Sequence, residues 1–335
     1  MVPRHTGDSL PLVSVLVLNY NQARFVVECL ESVRAQTYAS LQLIIMDDCS
    51  ADGSVDIIRE WIAKTGTTCT FIAHAENRGV CRTLNEALSF ASGKYVAMIA
   101  ADDIWLPAMI EEHVRVLERA DDEVGIVYGD SLQIDEDGNL LPQKFIESHR
   151  AFSRMPEGDI FSVLVQRSFI PAHTALIRRS CYDRVGLYDE SLCIEDWDMW
   201  LRIGQYFKFA FSKTVNAKYR IVATSITRQV LTKETYETLA SYFRIHAKCL
   251  ASGRLSPDLR QTVMQRLCGN AERMYKRGHK DRHRFLWEAL RTARTTRMAL
   301  MFAMSSLRIP HAVFRAIDAA HTRWKQKDMI PAAES

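Results

Sequence analysis

The sequence predicts an α/β fold, in which helices cover both faces of a mostly parallel sheet, followed by a C-terminal α-helical region. Short apolar runs of strand length alternate with amphipathic segments over about the first hundred residues, and this alternation is typical of parallel strands joined by crossover helices. Polar clusters follow three of these runs. After about residue 230 the apolar spacing becomes helical and the balance of charges changes sign.

The first elements follow one another in a regular order. Residues 13–18 are apolar apart from Ser14, which predicts a strand that is buried on both faces. Further strands are predicted at 41–46, 70–73 and 95–99, with helices over 23–35, through Val55, Ile58 and Ile62, and over 80–89. Right-handed crossovers between such strands place helices on both faces of one sheet.

Later elements are shorter and less regular. The sequence predicts a strand over 125–128, a hairpin turn over 135–139, a helix over 160–165 and a short strand over 174–177. A helix over 199–206 follows the acidic segment 195–198, which would lie at the positive end of the helix dipole. Two more strands are predicted near Phe209 and Tyr219, and helices continue from 231 to about 321.

Polar side chains collect where three of the predicted strands end. They are Asn19, Tyr20 and Asn21 after the first strand, Asp47 and Asp48 after the second, and Asp102 and Asp103 after the fourth. Because open α/β sheets bind ligands outside the carboxyl ends of their strands, these clusters predict a single binding site.

The adjacent carboxylates of Asp102 and Asp103 would resist desolvation at the end of a buried strand. A divalent cation that carries a nucleotide diphosphate would neutralise them, and their hard oxygen ligands suit Mg²⁺ or Mn²⁺. The alternative is that the pair only caps the next helix.

The composition is that of an ordinary globular protein, with 47% apolar and 25% charged residues. Eight cysteines are scattered without a C-x-x-C pair, which favours a reducing compartment over a zinc site or a disulfide framework. Residues 1–10 lack the apolar core of a signal peptide, and the longest apolar stretch, 298–307, is about half as long as a membrane span. We therefore expect a cytoplasmic protein.

The charge balance divides the chain into parts. Residues 231–335 carry 20 Lys and Arg against 9 Asp and Glu, whereas the preceding residues carry 23 against 31. We predict an N-terminal tail (1–10), an α/β domain (11–230) and a basic helical region (231–335). The basic region either presents an amphipathic segment around 291–314 to anionic lipid or packs on the α/β domain with its charges solvated. No nucleic-acid partner is expected, because the sequence has no motif that reads RNA or DNA.

Six motifs, taken in order and with their spacing, resemble those of family 2 glycosyltransferases with the GT-A fold. They are VSVLVLNYN at 13–21, IIMDDCSADGS at 44–54, NRG at 77–79, ADDIWLP at 101–107, YDESL at 188–192 and EDWDMWLR at 195–202. Each motif is weak alone, but the resemblance extends over residues 12–228.

The resemblance implies an inverting transfer of a sugar from a nucleotide diphosphate sugar, expected to be a UDP-sugar, to a hydroxyl of a glycan or lipid-linked acceptor. It makes residues 11–230 the GT-A catalytic domain, with Mg²⁺ or Mn²⁺ as cofactor. The expected context is synthesis of a surface polysaccharide or related glycan, in the cytoplasm or peripherally on the inner face of the plasma membrane. The alternative is a catalytically inactive protein that binds a sugar nucleotide or a glycan.

The resemblance also implies roles for residues that would bind the nucleotide sugar. Tyr20, flanked by Asn19 and Asn21, would stack on the base, and Asp48 would accept the imide proton of the base. Arg78 would reach the nucleotide or the diphosphate. The alternatives are a buried core aromatic for Tyr20, a helix or turn cap for Asp48 and an exposed surface arginine for Arg78.

The acids after the fourth strand match the family pattern in part. Asp102 matches the last acid of the D-x-D motif and would coordinate the metal, whereas Asp103 would bind the ribose or the sugar, or cap the following helix. Ala100 stands where the first acid of D-x-D is expected, and Val222 stands where many relatives have a histidine. The metal would then be held largely by the diphosphate. His173 is interpreted as a satisfied buried histidine rather than a ligand.

Glu195 and Asp196 match the base motif of the family. Asp196 is the expected general base, because an inverting displacement needs a carboxylate opposite the leaving group to take the acceptor's proton. The alternative is an acidic helix N-terminus that is favoured by the helix dipole alone.

Overall fold

A central sheet of mixed direction organises the first part of the chain in the computed structural model. The structure describes residues 10–222, 235–307, 309–310, 312–314 and 318, and the chain divides into two compact units, residues 1–229 and 230–335. Within the described residues, seven strands form the central sheet. In spatial order they are β10 (Lys208–Phe211), β6 (Val124–Tyr128), β9 (Leu176–Arg178), β4 (Tyr95–Ala100), β1 (Val13–Asn19), β2 (Leu41–Asp47) and β3 (Cys69–Ala73).

The strands that carry the polar clusters end at the same edge of this sheet. β1 pairs in parallel with β2 and β4, so that Asn19 lies opposite Asp47 and Leu18 opposite Ala100. β3 continues the parallel arrangement beside β2, whereas β9 runs antiparallel between β4 and β6. The predicted mostly parallel sheet is therefore confirmed, and the loops after β1, β2 and β4 are neighbours.

Helices cover both faces of the sheet. Those of the first unit are α1 (Val26–Arg34), α2 (Ser54–Thr65), α3 (Val80–Phe90), α4 (Met109–Arg119), α5 (Phe145–His149), α6 (Phe161–Gln166), α7 (Arg179–Val185) and α8 (Glu195–Ile203). Side chains of β1, β2 and β4, including Val17, Ile45 and Ile99, form one buried core with Leu30 of α1 and Ile110 of α4. Strands covered on both faces in this way are apolar along their whole length, as the sequence is here.

A second, smaller sheet lies beside the loop that follows β4. Among the described residues it contains four strands, in the order β5 (Ile104–Trp105), β11 (Ala217–Arg220), β7 (Ser131–Ile134) and β8 (Leu140–Lys144). β7 and β8 form the predicted hairpin, and β11 runs parallel to β7 and antiparallel to β5. This sheet brings the end of β11 next to Asp102 and Asp103.

Three predicted boundaries were wrong. α1 begins at Val26 rather than 23, because the backbone N–H of Ala23 donates to the Asp52 side chain (2.7 Å). Residues 172–174 form a 3-10 turn, and the strand begins only at Leu176. The Thr174 hydroxyl bonds there to the Gly129 carbonyl (2.9 Å), which stabilises the turn. α8 spans Glu195–Ile203 rather than 199–206, with the acids in its first turn.

The second unit is helical throughout its described part. Its helices are α9 (Tyr236–Ala251), α10 (Pro257–Lys276), α11 (Arg282–Ala293) and α12 (Thr296–Ser306). The Ser256 hydroxyl caps α10, with Pro257 at its first position, and the Thr295 hydroxyl caps α12. In the part of the chain that the structure describes, no helix is long and apolar enough to cross a membrane.

Candidate active site

The loops after β1 and β2 are interlocked by side-chain hydrogen bonds. The buried amide of Asn19 donates to the Asp47 carboxylate (2.5 Å) and to the Ser50 hydroxyl (3.1 Å). The Asn21 side-chain carbonyl accepts from the Ala51 N–H (2.8 Å), and the Asn21 N–H donates to Ser50 Oγ (2.8 Å). Asn19 and Asn21 therefore hold the loops after β1 and β2 together, and their binding of the nucleotide sugar stays a prediction.

Tyr20 lies between these two asparagines with 38% of its surface exposed. This exposure rules out the alternative of a buried core aromatic. An aromatic ring held at the mouth of a polar loop can stack on a nucleotide base.

Asp48 is buried and held by three donors. The carboxylate accepts from His74 Nδ1 (2.9 Å) and from the backbone N–H groups of Arg78 and Gly79 (both 2.8 Å). Burial works to raise the pKa of Asp48, but the bonds from His74, Arg78 and Gly79 outweigh it and the pKa is lowered. Because an ionised carboxylate offers about four acceptor positions, Asp48 retains capacity for one more donor.

The Arg78 side chain is engaged at the protein surface. The guanidinium bonds to Glu86, whose carboxylate also lies 3.2 Å from His74 Nε2. The backbone N–H of Arg78 rather than its side chain contacts Asp48. The predicted contact of Arg78 with the nucleotide would require the guanidinium to leave Glu86.

Asp102 and Asp103 have different surroundings at the end of β4. Asp103 is 3% exposed, its Oδ1 accepts from the Arg220 N–H (2.9 Å), and its Oδ2 lies 3.3 Å from His173 Nδ1. Burial and the charge of Asp102 raise the pKa of Asp103 well above its usual range. Asp102 remains partly exposed; burial raises the pKa of Asp102 too, while Arg220 opposes that shift. Asp103 is thus a buried support, and Asp102 is the acid that a ligand can reach.

A metal ion would find few protein ligands here. Across the described residues, no group of three or more His, Cys, Asp or Glu side chains is arranged to hold a metal. Ala100 is exposed at the end of β4, and Val222 is buried. Of the three positions Ala100, Asp102 and Val222, only Asp102 therefore offers a carboxylate to a metal. That fits Mg²⁺ or Mn²⁺ if phosphate and water oxygens complete the coordination.

Glu195 and Asp196 form a second acid pair in the first turn of α8. Asp196 Oδ1 accepts from the Trp197 N–H (2.5 Å). Burial raises the pKa of Asp196 to about 6, and burial together with the charge of Asp196 raises the pKa of Glu195 to about 8. Asp198 is buried and paired with Arg202 (2.8 Å), so its role is structural. The dipole of α8 alone would not produce such raised values, because a helix N-terminus favours the ionised form.

The segment before α8 is tied to α3 and to β4. The Asn85 amide donates to the Tyr188 carbonyl (3.0 Å), and the Asn85 carbonyl accepts from the Tyr188 N–H (2.9 Å). The Tyr188 hydroxyl lies 3.7 Å from the Met98 sulfur on β4. Burial raises the pKa of Tyr188 well above its usual range, and the charges of Glu195 and Asp196 add to this shift. These contacts hold the segment that leads into the second acid pair against α3 and β4.

Comparison with known proteins shows the family to which the chain belongs. A sequence model described as glycosyl transferase family 2 matches residues 14–186. The chain belongs to glycosyltransferase family 2. An uncharacterized glycosyltransferase of Rickettsia typhi is 30% identical over 235 residues, which cover 70% of this chain and 71% of the relative. An uncharacterized glycosyltransferase of Methanocaldococcus jannaschii is 29% identical and covers 63% of this chain and 71% of that relative.

Solved structures share the GT-A fold of this glycosyltransferase. Residues 1–349 of S. aureus TarS in complex with UDP-GlcNAc match with a TM-score of 0.59 at 16% identity, over 91% of this chain and 87% of that one. The mannosyltransferase PcManGT of Pyrobaculum calidifontis, in complex with GDP-Man and Mn²⁺, matches with a TM-score of 0.55 at 19% identity. That match covers 92% of this chain and 88% of the other. The predicted family, the GT-A fold and the enzyme class are confirmed.

Sequence reasoning missed two residues of this glycosyltransferase site, His74, which bonds to Asp48, and Arg220. Arg220 lies at the end of β11, and its backbone and side chain contact Asp103 and Asp102. A lone arginine two residues before Val222, at the end of a strand, was the available signal. His173 is buried as expected, and burial lowers its pKa to about 3, but within the described residues His173 Nε2 has no hydrogen-bond partner. The histidine is therefore only partly satisfied.

The raised pKa of Glu195 predicts a pH-dependent cost in stability. The unfolded chain releases the Glu195 proton near pH 4.5, whereas the folded protein keeps it until about pH 8. The free energy of unfolding therefore falls as pH rises through this range. E195Q removes this loss and is expected to raise Tm at pH 8 by a few degrees, on the order of 1 kcal/mol, with no gain near pH 4. Thermal unfolding of E195Q and of the surface control E190Q across pH 4–8 measures it. An equal gain at both pH values would contradict the expectation.

Proposed function

We propose that this glycosyltransferase inverts the configuration of a sugar that it moves from a UDP-sugar to an acceptor hydroxyl, with Asp196 as general base. The observation that carries the proposal is the pair Glu195–Asp196, which is partly exposed and has pKa values raised to about 8 and about 6. At neutral pH such a pair holds one proton and one negative charge between its two carboxyl groups. An ionised carboxylate beside a neutral partner is a competent proton acceptor.

Asp48 and Tyr20 support a uracil base. Asp48 has capacity for one further donor, and the imide of uracil presents one N–H, whereas the corresponding edge of guanine presents two donors. The exposed ring of Tyr20 would stack on the base. The related structures contain UDP-GlcNAc in one case and GDP-Man in another, so the preference for uracil rests on Asp48 and Tyr20.

Asp102 would hold a divalent cation together with the diphosphate. The partly exposed carboxylate supplies one hard oxygen ligand, and the cation would offset the negative charge that develops on the leaving group. Hydrogen bonds from Arg220 to the Asp102 carbonyl and to the Asp103 carboxylate hold this loop in place.

The proposed reaction forms one bond and breaks another at C1 of the sugar. The acceptor oxygen attacks C1 from the face opposite the phosphate, and the bond from C1 to the phosphate oxygen breaks, so the configuration at C1 inverts. The hydroxyl proton passes to Asp196, and the electron pair of the broken bond leaves on UDP. A positioned base of this kind contributes about 10²–10⁴-fold to the rate.

Release of nucleotide diphosphate from a panel of UDP-, GDP- and dTDP-sugars, with Mn²⁺ or with EDTA, tests this function. Turnover of a UDP-sugar that EDTA abolishes is the expected result. Preference for a GDP-sugar would overturn the assignment of uracil to Asp48 and Tyr20. Binding of a donor without release, for any glycan or lipid-linked acceptor, would favour a catalytically inactive binding protein.

We also propose that the second unit contacts anionic lipid peripherally, as a lipid-linked acceptor would require. In the amphipathic segment expected around 291–314, Met298, Met301 and Phe314 are buried within the unit, so they are not the contact surface. Trp287 of α11 is instead 45% exposed and packs on Phe302 of α12, with ring centroids 5.2 Å apart.

Basic and aromatic side chains lie together around Trp287. The Arg291 guanidinium lies 5.8 Å from the centre of the Trp287 ring, and His283 stacks on Phe302 at 4.5 Å. Tryptophan beside arginine is typical of surfaces at the level of lipid headgroups. Residues 231–335 also carry an excess of basic side chains, which anionic headgroups attract.

Cosedimentation with vesicles tests the lipid contact. Binding to vesicles that contain phosphatidylserine, with weak binding to phosphatidylcholine alone, is expected, and W287A should lower the bound fraction several-fold. Y206A is the matched control, because Tyr206 of the first unit is also exposed and has Arg184 over its ring at 4.3 Å. Equal binding by wild type, W287A and Y206A would remove this surface from the proposal.

A further inference from the structure

Arg220 is a buried arginine whose side chain donates four hydrogen bonds. Its side chain is 2% exposed. Nε donates to the Asp102 carbonyl (3.0 Å), Nη1 donates to the carbonyls of Asp135 (3.2 Å) and Glu136 (3.3 Å), and Nη2 donates to the Glu28 carboxylate (2.6 Å). A buried charge is costly unless it is paired and hydrogen-bonded, so these contacts are a condition for placing an arginine here.

The contacts of Arg220 join three segments that are distant in sequence. They are the acid loop (101–103) after β4, the turn (135–139) between β7 and β8, and the helix α1, to which Glu28 belongs. We call this meeting point the Arg220 junction. The guanidinium also lies 4.5 Å from the centre of the Phe25 ring, just before α1. On the outside of the same junction, Arg24 pairs with Glu136 (3.3 Å) and Asp137 (2.6 Å).

Arg220 holds the acid loop at two points, Asp102 and Asp103. The Arg220 side chain bonds to the Asp102 carbonyl, and the Arg220 N–H bonds to the carboxylate of the next residue, Asp103 (2.9 Å). The Asp102 carboxylate is not itself bonded by these groups and remains partly exposed. The direction in which the Asp102 side chain points is therefore set through the backbone.

We propose that Arg220 is a positioning residue that holds Asp102 in the conformation that binds the donor diphosphate and its metal ion. The inference rests on the proposed role of Asp102. Lysine cannot replace Arg220, because one ammonium group cannot reach carbonyls and a carboxylate that the planar fork contacts in different directions. Loss of these bonds leaves the acid loop free to shift and weakens donor and metal binding together.

The chain contains a matched control for the loss of a buried arginine. Arg178 is 7% exposed and donates to the carbonyls of Val124 (2.8 Å) and Leu117 (2.5 Å). Its guanidinium also lies 5.6 Å from the centre of the Tyr95 ring. Tyr95 begins β4 and Asp102 follows its end, so Arg178 makes similar bonds at the opposite edge of the sheet from the acid loop. R178K therefore reports the structural cost alone.

The test compares the kinetics of R220K and R178K with those of the wild type. Both variants are expected to lower Tm. R220K alone should raise the KM for the nucleotide sugar by about tenfold, equivalent to about 1.4 kcal/mol, and should raise the Mn²⁺ concentration for half-maximal activity. A purely structural role would lower the active fraction, and so kcat, without moving KM or the metal requirement. R220K that keeps both wild-type values would overturn the proposal.

E28Q provides a second test if R220K does not fold. Glu28 is 58% exposed, so E28Q removes the negative charge that pairs with Arg220 at little cost to the core. A smaller rise of the donor KM, in the same direction, is expected; an unchanged KM for E28Q would count against the junction. D102N separates the two proposals: if D102N keeps the wild-type donor KM and metal requirement, the role of Asp102 fails. If D102N loses them while R220K and E28Q do not, only the role of Arg220 fails.

Discussion

D196N is expected to lower kcat by about 10²–10⁴-fold, the contribution of a positioned general base. The asparagine is nearly isosteric and can still accept the hydrogen bond from the Trp197 N–H, but it cannot take the proton of the acceptor hydroxyl. The donor KM should change little, because the proposed donor contacts lie in the loops after β1, β2 and β4. Steady-state release of UDP with a saturating acceptor measures both constants.

The pH profile distinguishes loss of a base from general damage. With a pKa of about 6, Asp196 is ionised above that pH, so wild-type activity should rise as pH increases through 6. D196N should lose this rising limb. E190Q is the control, because Glu190 is an exposed acid in the segment before α8 that pairs with Arg82 (3.1 Å). If D196N kept kcat within threefold of the wild type, another group would have to be the base.

D102N is expected to lower kcat/KM by about a hundredfold, equivalent to about 2.7 kcal/mol, because it removes the carboxylate that we propose as the metal ligand. Higher Mn²⁺ should recover part of the loss, since phosphate oxygens would still hold the ion. Titration of activity with Mn²⁺ for the wild type and D102N measures this. Activity that neither EDTA nor D102N reduces would contradict a metal at Asp102.

A100D tests the proposed metal site by adding a second carboxylate. Ala100 is exposed at the end of β4, so a carboxylate there has a low desolvation cost. A second acid two residues before Asp102 should lower the Mn²⁺ concentration for half-maximal activity by about tenfold, equivalent to about 1.4 kcal/mol. A100N, with the same shape and no charge, is the matched control. An equal effect of A100D and A100N would mean that shape, and not metal ligation, is responsible.

Much of the fold could be predicted because its signals are local. The runs at 13–18, 41–46 and 95–99 are apolar since each strand is buried on both faces, and the structure has strands at Val13–Asn19, Leu41–Asp47 and Tyr95–Ala100. Parallel strands bring their carboxyl ends to one edge, so the clustering of the acids and asparagines also followed from the order of elements.

The sequence did not predict which of these polar residues bond to neighbouring loops and which remain accessible to a ligand. Asn19, Asn21 and Asp103 are residue types that bind ligands as readily as they bond to neighbouring loops. Their partners Ser50, Ala51 and Arg220 are distant along the chain or come from another sheet.

The residue types and their order in the chain already specified a family 2 glycosyltransferase with a GT-A sheet and two acid pairs. Burial and long-range partners decided which acid of the first pair is reachable, and burial shifted the pKa values of the second pair. Asp103 is enclosed by Arg220 and His173, while Asp102 stays partly exposed. Burial in the folded chain raises the pKa values of Glu195 and Asp196. Desolvation and hydrogen bonding depend on atoms that only the folded chain brings together, and no spacing of residues along the sequence encodes them directly.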